Sequence, residues 1–449
     1  MPRFPALLIP VALTCAPALA QEQTFPATLA GHALIPAMTL IAPPADAPKD
    51  AAVSGKFTGP ARNAVPGSVM GDTGSMHGKR PTGISLPFAG QPVQGLSGYA
   101  MIRAADGTVF VLTDNGFGSK ANSPDALLMF HRITPDFAAG TVTLAETVFL
   151  RDPDAQVPNR IAYEGTDARY LTGADFDPES IQIIGERVFI GEEFGPYLIE
   201  ATLDGRIVAV HPTMLDGAVV KGVDAPGISA ISVVGKDWRA QRSGGYEGMA
   251  LQPGTGLLWG MLEKPLMGED GKPEGTFLRV LAFDPAKGDW TGQGFKFPLA
   301  EGATAIGDFN FIDATRALVI ERDNGEGEPA LKCAGDPAPD CYPLPAVVKR
   351  VVLIDTGTVD AEGFVRRIGH IDLMAIADPE GKARVATAGG TKGRFSLPFF
   401  TIEDVMKVDD THIMVAIDNN LPFSSGRKLN AAADNEVVLL SVPEFLAAK

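Results

Sequence analysis

The chain of 449 residues carries 54 acidic and 38 basic side chains, which gives a formal net charge of −16 at pH 7. A chain this acidic offers no basic face to nucleic acid, so we expect no nucleic-acid partner. Its 50 Gly and 36 Pro residues are spread among short apolar runs, which favours turns between strands over disorder. Sustained helical periodicity is scarce, and we therefore predict an all-β fold.

The first 20 residues predict a secretory signal peptide. Arg3 is their only charge, an apolar centre follows, and Ala18-Leu19-Ala20 forms an A-x-A cleavage site before Gln21. A membrane anchor is the alternative, which is disfavoured because the apolar run is short and is interrupted by prolines. We expect cleavage after Ala20, a periplasmic or secreted location, and no insertion of the mature chain into a membrane.

Residues 21–95 carry the weakest pattern in the chain. Apolar residues alternate with small or polar ones from 25 to 40, which predicts one or two strands. The stretch that follows, up to residue 92, is rich in Gly, Pro and Ser and predicts loops.

From residue 96 onward one pattern recurs: an acidic turn, a short apolar strand, a tight turn, a second apolar strand and a closing acid. The clearest copy runs from Asp177 to Tyr197, and its two strands predict a hairpin. Other copies open at Ser97, Glu247, Asp308 and Glu403, and only the copy at Ser97 lacks an opening acid. The spacing of the copies, about 60 to 95 residues, is too irregular for a solenoid.

Imperfect β-rich repeats of this size predict the blades of a β-propeller with long loop insertions. Five copies are visible, and a sixth blade built from the termini or from residues 206–240 would make six, the number that we expect. A strand from the N-terminus often completes the last blade and removes its exposed edge, and residues 25–40 are the candidate. The predicted organisation is a signal peptide (1–20), an N-terminal segment (21–95) and a propeller (96–449).

Two cysteines, Cys333 and Cys341, lie eight residues apart in a Pro-rich loop. In an oxidising compartment such a pair most simply forms one local disulfide. Two free thiols are the alternative, and a metal pair is disfavoured because no His lies nearby in the sequence. We predict a disulfide that pins an insertion loop.

Acids recur at equivalent strand ends, which predicts rings of carboxylates around the propeller axis. Carboxylates held together repel one another unless a cation intervenes, and oxygen donors in this number suit Ca²⁺, which takes about 6–8 of them. The alternative is that each acid caps a turn. The predicted Ca²⁺ site draws on Glu179, Glu247, Asp308 and Glu403 at strand starts, on Asp114, Glu192, Glu193, Glu263, Glu321, Asp323 and Asp418 at strand ends, and on Asn115, Asn324, Asn419 and Asn420 as neutral donors.

Four segments together resemble a known exported family: DPESI…FIGEEFGPY, GYEGMALQP, IGDFNFI…LVIERDNGEG and IEDVMKV…MVAIDNNLPF. They are similar to the family called "esterase-like activity of phytase", which is related in architecture to calcium-dependent β-propeller phytases. The resemblance spans residues 90–440, and the chain departs from it at Ser180, where Gly is commoner, and at Asp308 and Glu403-Asp404. It implies an exported propeller that hydrolyses ester bonds.

We expect metal-dependent hydrolysis of a small-molecule phosphate ester, or another ester, at the acidic mouth of a monomeric propeller. Glu179 and Glu193 are the predicted catalytic carboxylates, and Lys264 and Arg322 are predicted to clamp the phosphate. Ion pairs with the preceding glutamates are the alternative for both cations. Serine chemistry is disfavoured because the chain has no G-x-S-x-G motif. From another class, the alternative is a non-catalytic periplasmic scaffold that binds a cation or ligand.

Overall fold

The computed structural model describes residues 22–449, so the predicted signal peptide lies outside the described residues. Regular structure in this range is nearly all β, with one short α-helix, α1 (Pro443–Ala447). No helix within residues 22–449 is long and apolar enough to cross a membrane. The N-terminal segment contains β1 (Gln23–Phe25), β2 (Thr28–Ile35), β3 (Leu40–Ile41), β4 (Val69–Asp72), β5 (Pro81–Leu86) and β6 (Gln91–Pro92), with 3-10 turns at Lys49–Ala52 and Ser75–His77.

Each later sheet opens with two buried strands joined by a turn and adds further strands outward. Val, Ile, Leu and Phe recur in these strands, where they favour extended backbone. Blade one contains β7 (Leu96–Arg103), β8 (Val109–Thr113), β9 (Met129–Asp136) and β10 (Thr141–Phe149). Blade two contains β11 (Pro178–Ile184), β12 (Arg187–Glu192), β13 (Tyr197–Thr202) and β14 (Ile207–Pro212), and it is followed by the hairpin β15 (Met214–Leu215) and β16 (Ala218–Val219). Blade three contains β17 (Tyr246–Leu251), β18 (Leu258–Leu262), β19 (Phe277–Asp284) and β20 (Asp289–Pro298).

Blades four and five follow the same plan. A long insertion in blade four carries the predicted disulfide, which is confirmed: Cys333 and Cys341 are bonded, with their Cα atoms 4.9 Å apart. The strands are β21 (Ala305–Phe311), β22 (Arg316–Arg322), β23 (Lys349–Val359) and β24 (Val365–Asp372) in blade four, then the pair β25 (Ile376–Ala377) and β26 (Arg394–Phe395), then β27 (Asp404–Lys407), β28 (His412–Ala416) and β29 (Asn435–Ser441) in blade five; a 3-10 turn spans Pro329–Leu331.

The innermost strands of the five blades close a ring. β7 packs against β11, β11 against β17, β17 against β21 and β21 against β27, and β27 returns to β7. Each blade extends outward from this ring as an antiparallel sheet. The fold is therefore the all-β propeller that the repeats predict.

Residues 22–449 form five blades, whereas the sequence analysis expected six. The region 206–240, a candidate for the additional blade, instead supplies the outer strand β14 and the short hairpin β15–β16. The N-terminal segment supplies β2, which pairs antiparallel with β29 and becomes the outer strand of blade five. Blade five has only three strands of its own, so the N-terminal strand completes an existing blade.

The N-terminal segment also contacts the two neighbouring blades. β1 pairs parallel with β24 at the outer edge of blade four. A single parallel pair, Leu34 with Thr141, joins β2 to β10 of blade one. The chain thus closes its own ring and covers strand edges that would otherwise be free to pair with another molecule.

Apolar side chains fill the space between neighbouring blades. Leu112 and Ile190 belong to one buried cluster between blades one and two, and Met261 and Phe309 to another between blades three and four. Burying a side chain of this size contributes about 1.5–3 kcal/mol. This packing fixes the inner strands, and with them the polar side chains at their ends.

Candidate functional site

A cavity of about 370 Å³ lies where the first strands of the blades begin and the second strands end. Its wall is polar and acidic, with eight carboxylates and two basic side chains. The charged residues of the wall are Asp114, Asp177, Glu179, Glu193, Glu247, Glu263, Lys264, Arg322, Glu403 and Asp418.

Five equivalent positions on the first strands form one level of the site, which we call the bulge ring. In β11, Glu179 is an extra residue between two regular strand pairs, and Glu247 interrupts β17 in the same way. A bulge releases its residue from the regular alternation and re-aims the side chain. The bulge ring consists of Ser97, Glu179, Glu247 and Gly307. Its fifth member is Glu403, which directly precedes β27 and donates its N–H to the carbonyl of Ala416 at 3.3 Å.

The end of the second strand in each blade supplies a second level, the strand-end ring. The N–H of Glu193 donates to the carbonyl of Asp177 at 3.0 Å, and that of Glu263 to Gly245 at 2.8 Å. Arg322 holds the same position in blade four and places a cation among acids. The strand-end ring consists of Asp114, Glu193, Glu263, Arg322 and Asp418.

Asp177, Glu179 and Glu193 form a carboxylate triad in which one oxygen from each lies within 4.8 Å of the others. Asp177 directly precedes β11, and the bulge at Glu179 re-aims the Glu179 side chain toward the same cavity. Pairing of the strand ends brings Glu193 across from Asp177. All three residues are at most 9% exposed.

The triad has the electrostatics of a cation site. Asp177 Oδ1 and Glu193 Oε1 have no hydrogen-bond donor among residues 22–449. Burial, followed by the charge of neighbouring carboxylates, raises the pKa of Glu179 and Glu193 well above the ordinary range, and burial raises the pKa of Asp177 to about 6. Such buried, undonated oxygens are costly without a counter-charge. A donor set made only of oxygens fits Ca²⁺ better than Zn²⁺.

Arg322 lies at the centre of a second group of carboxylates. Its Nη2 lies 2.8 Å from Glu263 Oε1 and 3.5 Å from Oε1 of both Glu247 and Glu403. Burial works to lower the pKa of the guanidinium, but these carboxylates outweigh burial and raise it. The Phe400 ring covers this group, with its centroid 5.4 Å from the guanidinium carbon. Arg322 therefore remains charged at neutral pH.

Lys264 is the other cation of the wall. Its Nζ lies 3.0 Å from Glu263 Oε2 and donates to the carbonyl oxygens of Arg242, at 2.9 Å, and of Ser243. The two residues predicted to clamp phosphate, Lys264 and Arg322, thus line one cavity. The alternative, an ion pair with the preceding glutamate, is also present for Lys264. Within residues 22–449 it is absent for Arg322, because Glu321 pairs with Arg367 instead.

The remaining strand-end acids bond to their own blades. Asp418 accepts the N–H of Asn420 at 2.5 Å and the Thr401 hydroxyl at 3.1 Å. Asp114 accepts the side-chain amide of Gln94 at 3.1 Å. Burial raises the pKa of Asp418 to about 6, and burial with the nearby Asp418 charge raises the pKa of Asp114 well above its ordinary range. Both carboxylates are therefore costly to ionise within the protein alone.

A protein-family model described as "Phytase-like: Esterase-like activity of phytase" matches residues 91–421, a span that runs from blade one into blade five. The chain belongs to this family. The resemblance predicted from the four sequence segments is thereby confirmed.

Solved structures similar to this phytase-like protein match it at low identity. A luciferin-regenerating enzyme covers 79% of this chain and 94% of its own, with 8% identity and a TM-score of 0.34. An arabinanase of Bacillus subtilis covers 78% and 94%, with 10% identity and a TM-score of 0.35. A PQQ-bound aldose sugar dehydrogenase of Streptomyces coelicolor covers 78% and 95%, with 10% identity and a TM-score of 0.32. No curated protein sequence matches the chain.

Several predicted ligands of the phytase-like protein lie outside the cavity wall. Glu192 and Glu321 each precede a member of the strand-end ring, so they face the other side of their strands. Glu192 accepts backbone N–H groups of the turn after it, and Glu321 lies 2.9 Å from the Arg367 guanidinium. Asp323 accepts backbone N–H groups and lies 3.1 Å from Lys349 Nζ. These acids stabilise turns and neighbouring strands.

Asp308 was predicted as the opening acid of blade four, but Gly307 holds the position in the bulge ring. The fold leaves no room for a side chain there, because an ideal Cβ on Gly307 would lie 1.9 Å from the carbonyl oxygen of Ile402. Asp308 instead accepts the N–H groups of Phe309 and Val405, both at 2.7 Å. It ties blade four to blade five and does not line the cavity.

The predicted asparagine donors divide in a similar way. Asn115, Asn324 and Asn420 line the cavity. Asn419 accepts the N–H of Gly95 at 3.3 Å and holds the start of blade one against blade five.

Asp177 belongs to the triad but was not among the predicted ligands. A signal for it was present, because Asp177 is the acid that opens the DPES segment, two residues before Glu179. Its position opposite Glu193, however, depends on strand register, which the sequence does not specify.

Proposed function

We propose that this protein is an exported, Ca²⁺-dependent hydrolase of phosphate esters. Its membership of the phytase-like family supports an ester hydrolase. The observation that carries the metal is the triad of Asp177, Glu179 and Glu193, with its clustered, buried oxygens. The Cys333–Cys341 bond supports export, because disulfides persist in oxidising compartments.

Each residue of the wall has a role in this proposal. The triad would hold the cation, which would supply positive charge for phosphate oxygens and lower the pKa of a bound water. Arg322 and Lys264 stabilise the negative charge that develops on the phosphate. Glu193 is a member of the triad, and we assign to the carboxylate oxygen that does not hold the cation the role of accepting the proton of the attacking water.

The reaction consumes one water and involves no oxidation or reduction. The water oxygen bonds to phosphorus, and the bond between phosphorus and the alcohol oxygen breaks. The proton that Glu193 removes from the water passes to the departing alcohol oxygen. The products from a monoester are the free alcohol and inorganic phosphate.

The decisive assay uses the purified mature chain with a phosphomonoester, a phosphodiester and a carboxyl ester. Release of phosphate or p-nitrophenol is measured with added Ca²⁺ and again with EDTA. We expect phosphoester hydrolysis that EDTA abolishes and Ca²⁺ restores. EDTA-insensitive cleavage of the carboxyl ester would contradict the proposal and require a nucleophile elsewhere.

Glu179→Gln tests the triad directly. The substitution keeps the shape of the side chain but removes one anionic ligand, so we expect turnover to fall by about 100-fold and calorimetric Ca²⁺ affinity to fall by about tenfold or more. The matched control is Glu186→Gln, on the exposed turn of the same hairpin, which is expected to retain both. Unchanged turnover in Glu179→Gln would refute the assignment.

A cation-binding propeller without catalysis is the second candidate. It is favoured by one observation: Lys264 and Arg322 already engage protein acceptors. Such pairing is expected of cations that stabilise the cavity wall and do not bind a substrate. Tight Ca²⁺ binding in the calorimeter, together with no product from any ester of the panel, would identify this function.

A further inference from the structure

We infer that the alcohol part of the substrate is apolar and lies against Met76 and Phe400; this inference rests on the proposed hydrolysis of phosphate esters. Among the described residues that line the cavity, these two carry the large apolar side chains. Met76 is 52% exposed and Phe400 is half-buried. Both therefore have surface that a ligand can cover.

Met76 is held at the cavity by a well-anchored loop. It is the middle residue of the 3-10 turn Ser75–His77. The carbonyl of His77 accepts a hydrogen bond from Arg80 Nε at 3.1 Å, and the guanidinium of Arg80 forms a buried ion pair with Glu326 at 2.5 Å. Because the loop is fixed before a ligand arrives, contact with Met76 costs little ordering entropy.

Phe400 is fixed beside this loop. Its carbonyl accepts a hydrogen bond from Lys349 Nζ at 2.9 Å. Its ring meets the His77 ring edge-on, with centroids 5.2 Å apart. Because Met76 directly precedes His77, this contact holds Phe400 beside the loop that carries Met76. The two apolar side chains thus share one support, and the Phe400 ring also covers Arg322, a residue of the proposed phosphate site.

The charge of the wall disfavours a substrate with many phosphates. Eight carboxylates face two basic residues, and both of these, Lys264 and Arg322, are already paired. Several further negative charges would be repelled at short range, with no free cation among the wall residues that the structure describes. One phosphate at the Ca²⁺ site and an apolar group on Met76 and Phe400 match both the charge and the shape of the wall.

The test compares benzyl phosphate, glycerol 3-phosphate and inositol hexakisphosphate as substrates of the Ca²⁺-loaded mature protein. Benzyl alcohol and glycerol both leave through a primary alcohol oxygen, so the ratio of kcat/KM between their esters reports mainly contacts with the alcohol part. We expect kcat/KM for benzyl phosphate to exceed that of each other substrate by about tenfold.

Met76→Gln is the informative variant, because the side chain is exposed and its replacement leaves the core intact. We expect it to lower the benzyl-to-glycerol ratio of kcat/KM by about threefold or more. The control is Met38→Gln, at a methionine that is 47% exposed and outside the cavity wall, and its ratio is expected to match that of the unaltered protein.

Calorimetry with benzylphosphonate and methylphosphonate, which are not hydrolysed, separates this inference from the proposed function. The inference is supported if benzylphosphonate binds more tightly than methylphosphonate and if Met76→Gln weakens that binding. If this result is found but no ester is turned over, only the proposed hydrolysis is overturned. Equal Kd values, or a kcat/KM that favours inositol hexakisphosphate, overturn the inference and leave hydrolysis standing. Binding of neither phosphonate overturns both.

Discussion

Arg322 is the basic member of a strand-end ring whose other members are acids. Three glutamates lie within 3.5 Å of its guanidinium, and all four side chains are buried. A buried charge whose partner is removed is far more costly than the pair is favourable. Arg322 therefore offsets the repulsion between the carboxylates that surround it.

Arg322→Met removes the cation and keeps an unbranched side chain. We expect the free energy of unfolding, measured by urea denaturation in EDTA, to fall by about 3–5 kcal/mol. Added Ca²⁺ is expected to restore part of the loss, because it neutralises the same acids. Arg103→Met, at an exposed position in blade one, is expected to cost less than about 0.5 kcal/mol. Equal losses in the two variants would show that the carboxylates do not need the guanidinium.

At the scale of the strand, the bulge decides which acids reach the cavity. The sequence shows the repeats and their acidic ends, but a shift of one residue exchanges the side chains that face the site for those that face away. Glu179 and Glu247 are the extra residues of their strands and line the cavity. Asp308 falls one residue past the equivalent point. Only the pairing of strands, and not composition, distinguishes these acids.

Gly307 shows that this register is imposed by packing. Its ideal Cβ would lie 1.9 Å from the carbonyl oxygen of Ile402, so Gly307→Ala forces blades four and five apart. We expect urea denaturation to show a loss of about 3 kcal/mol or more. The control is Gly165→Ala, where nothing lies within 4 Å of the added Cβ, with a change below about 0.5 kcal/mol. Unaltered stability in Gly307→Ala would mean that the two blades can readjust.

At the scale of the whole molecule, the propeller could be predicted from the repeats but its number of blades could not. Blade five has three strands in the repeat region and takes its fourth, β2, from the other end of the chain. The sequence shows that the N-terminal stretch is extended, yet it does not show which edge the stretch covers. Long-range pairing of this kind is decided by burial of complementary edges.

Charged side chains reinforce that closure of the ring. Glu22, just before β1, lies 2.9 Å from the Arg367 guanidinium of blade four. Glu436 of β29 receives two hydrogen bonds from Arg427 and lies 3.0 Å from Nε2 of His32 on β2. Burial opposes ionisation of both glutamates, but hydrogen bonds and the charge of their partners lower the pKa of each to about 2.

The ordinary pKa of 4.5 applies to glutamate in the unfolded chain, so the folded protein keeps Glu436 ionised to a lower pH. Stability from this residue is complete above pH 4.5 and is lost as the pH falls toward 2, because the unfolded state then binds the proton first.

Glu436→Gln abolishes the titration and leaves Arg427 without its carboxylate. We expect the free energy of unfolding at pH 7 to fall by about 3–5 kcal/mol. Between pH 4.5 and pH 2 we expect it to decline less in the variant than in the unaltered protein. Urea denaturation at intervals of pH measures both, and Glu444→Gln, at an exposed position in α1, is the control. If Glu436→Gln and Glu444→Gln lose stability with the same slope on acidification, the buried glutamate does not hold the N-terminal strand in the ring.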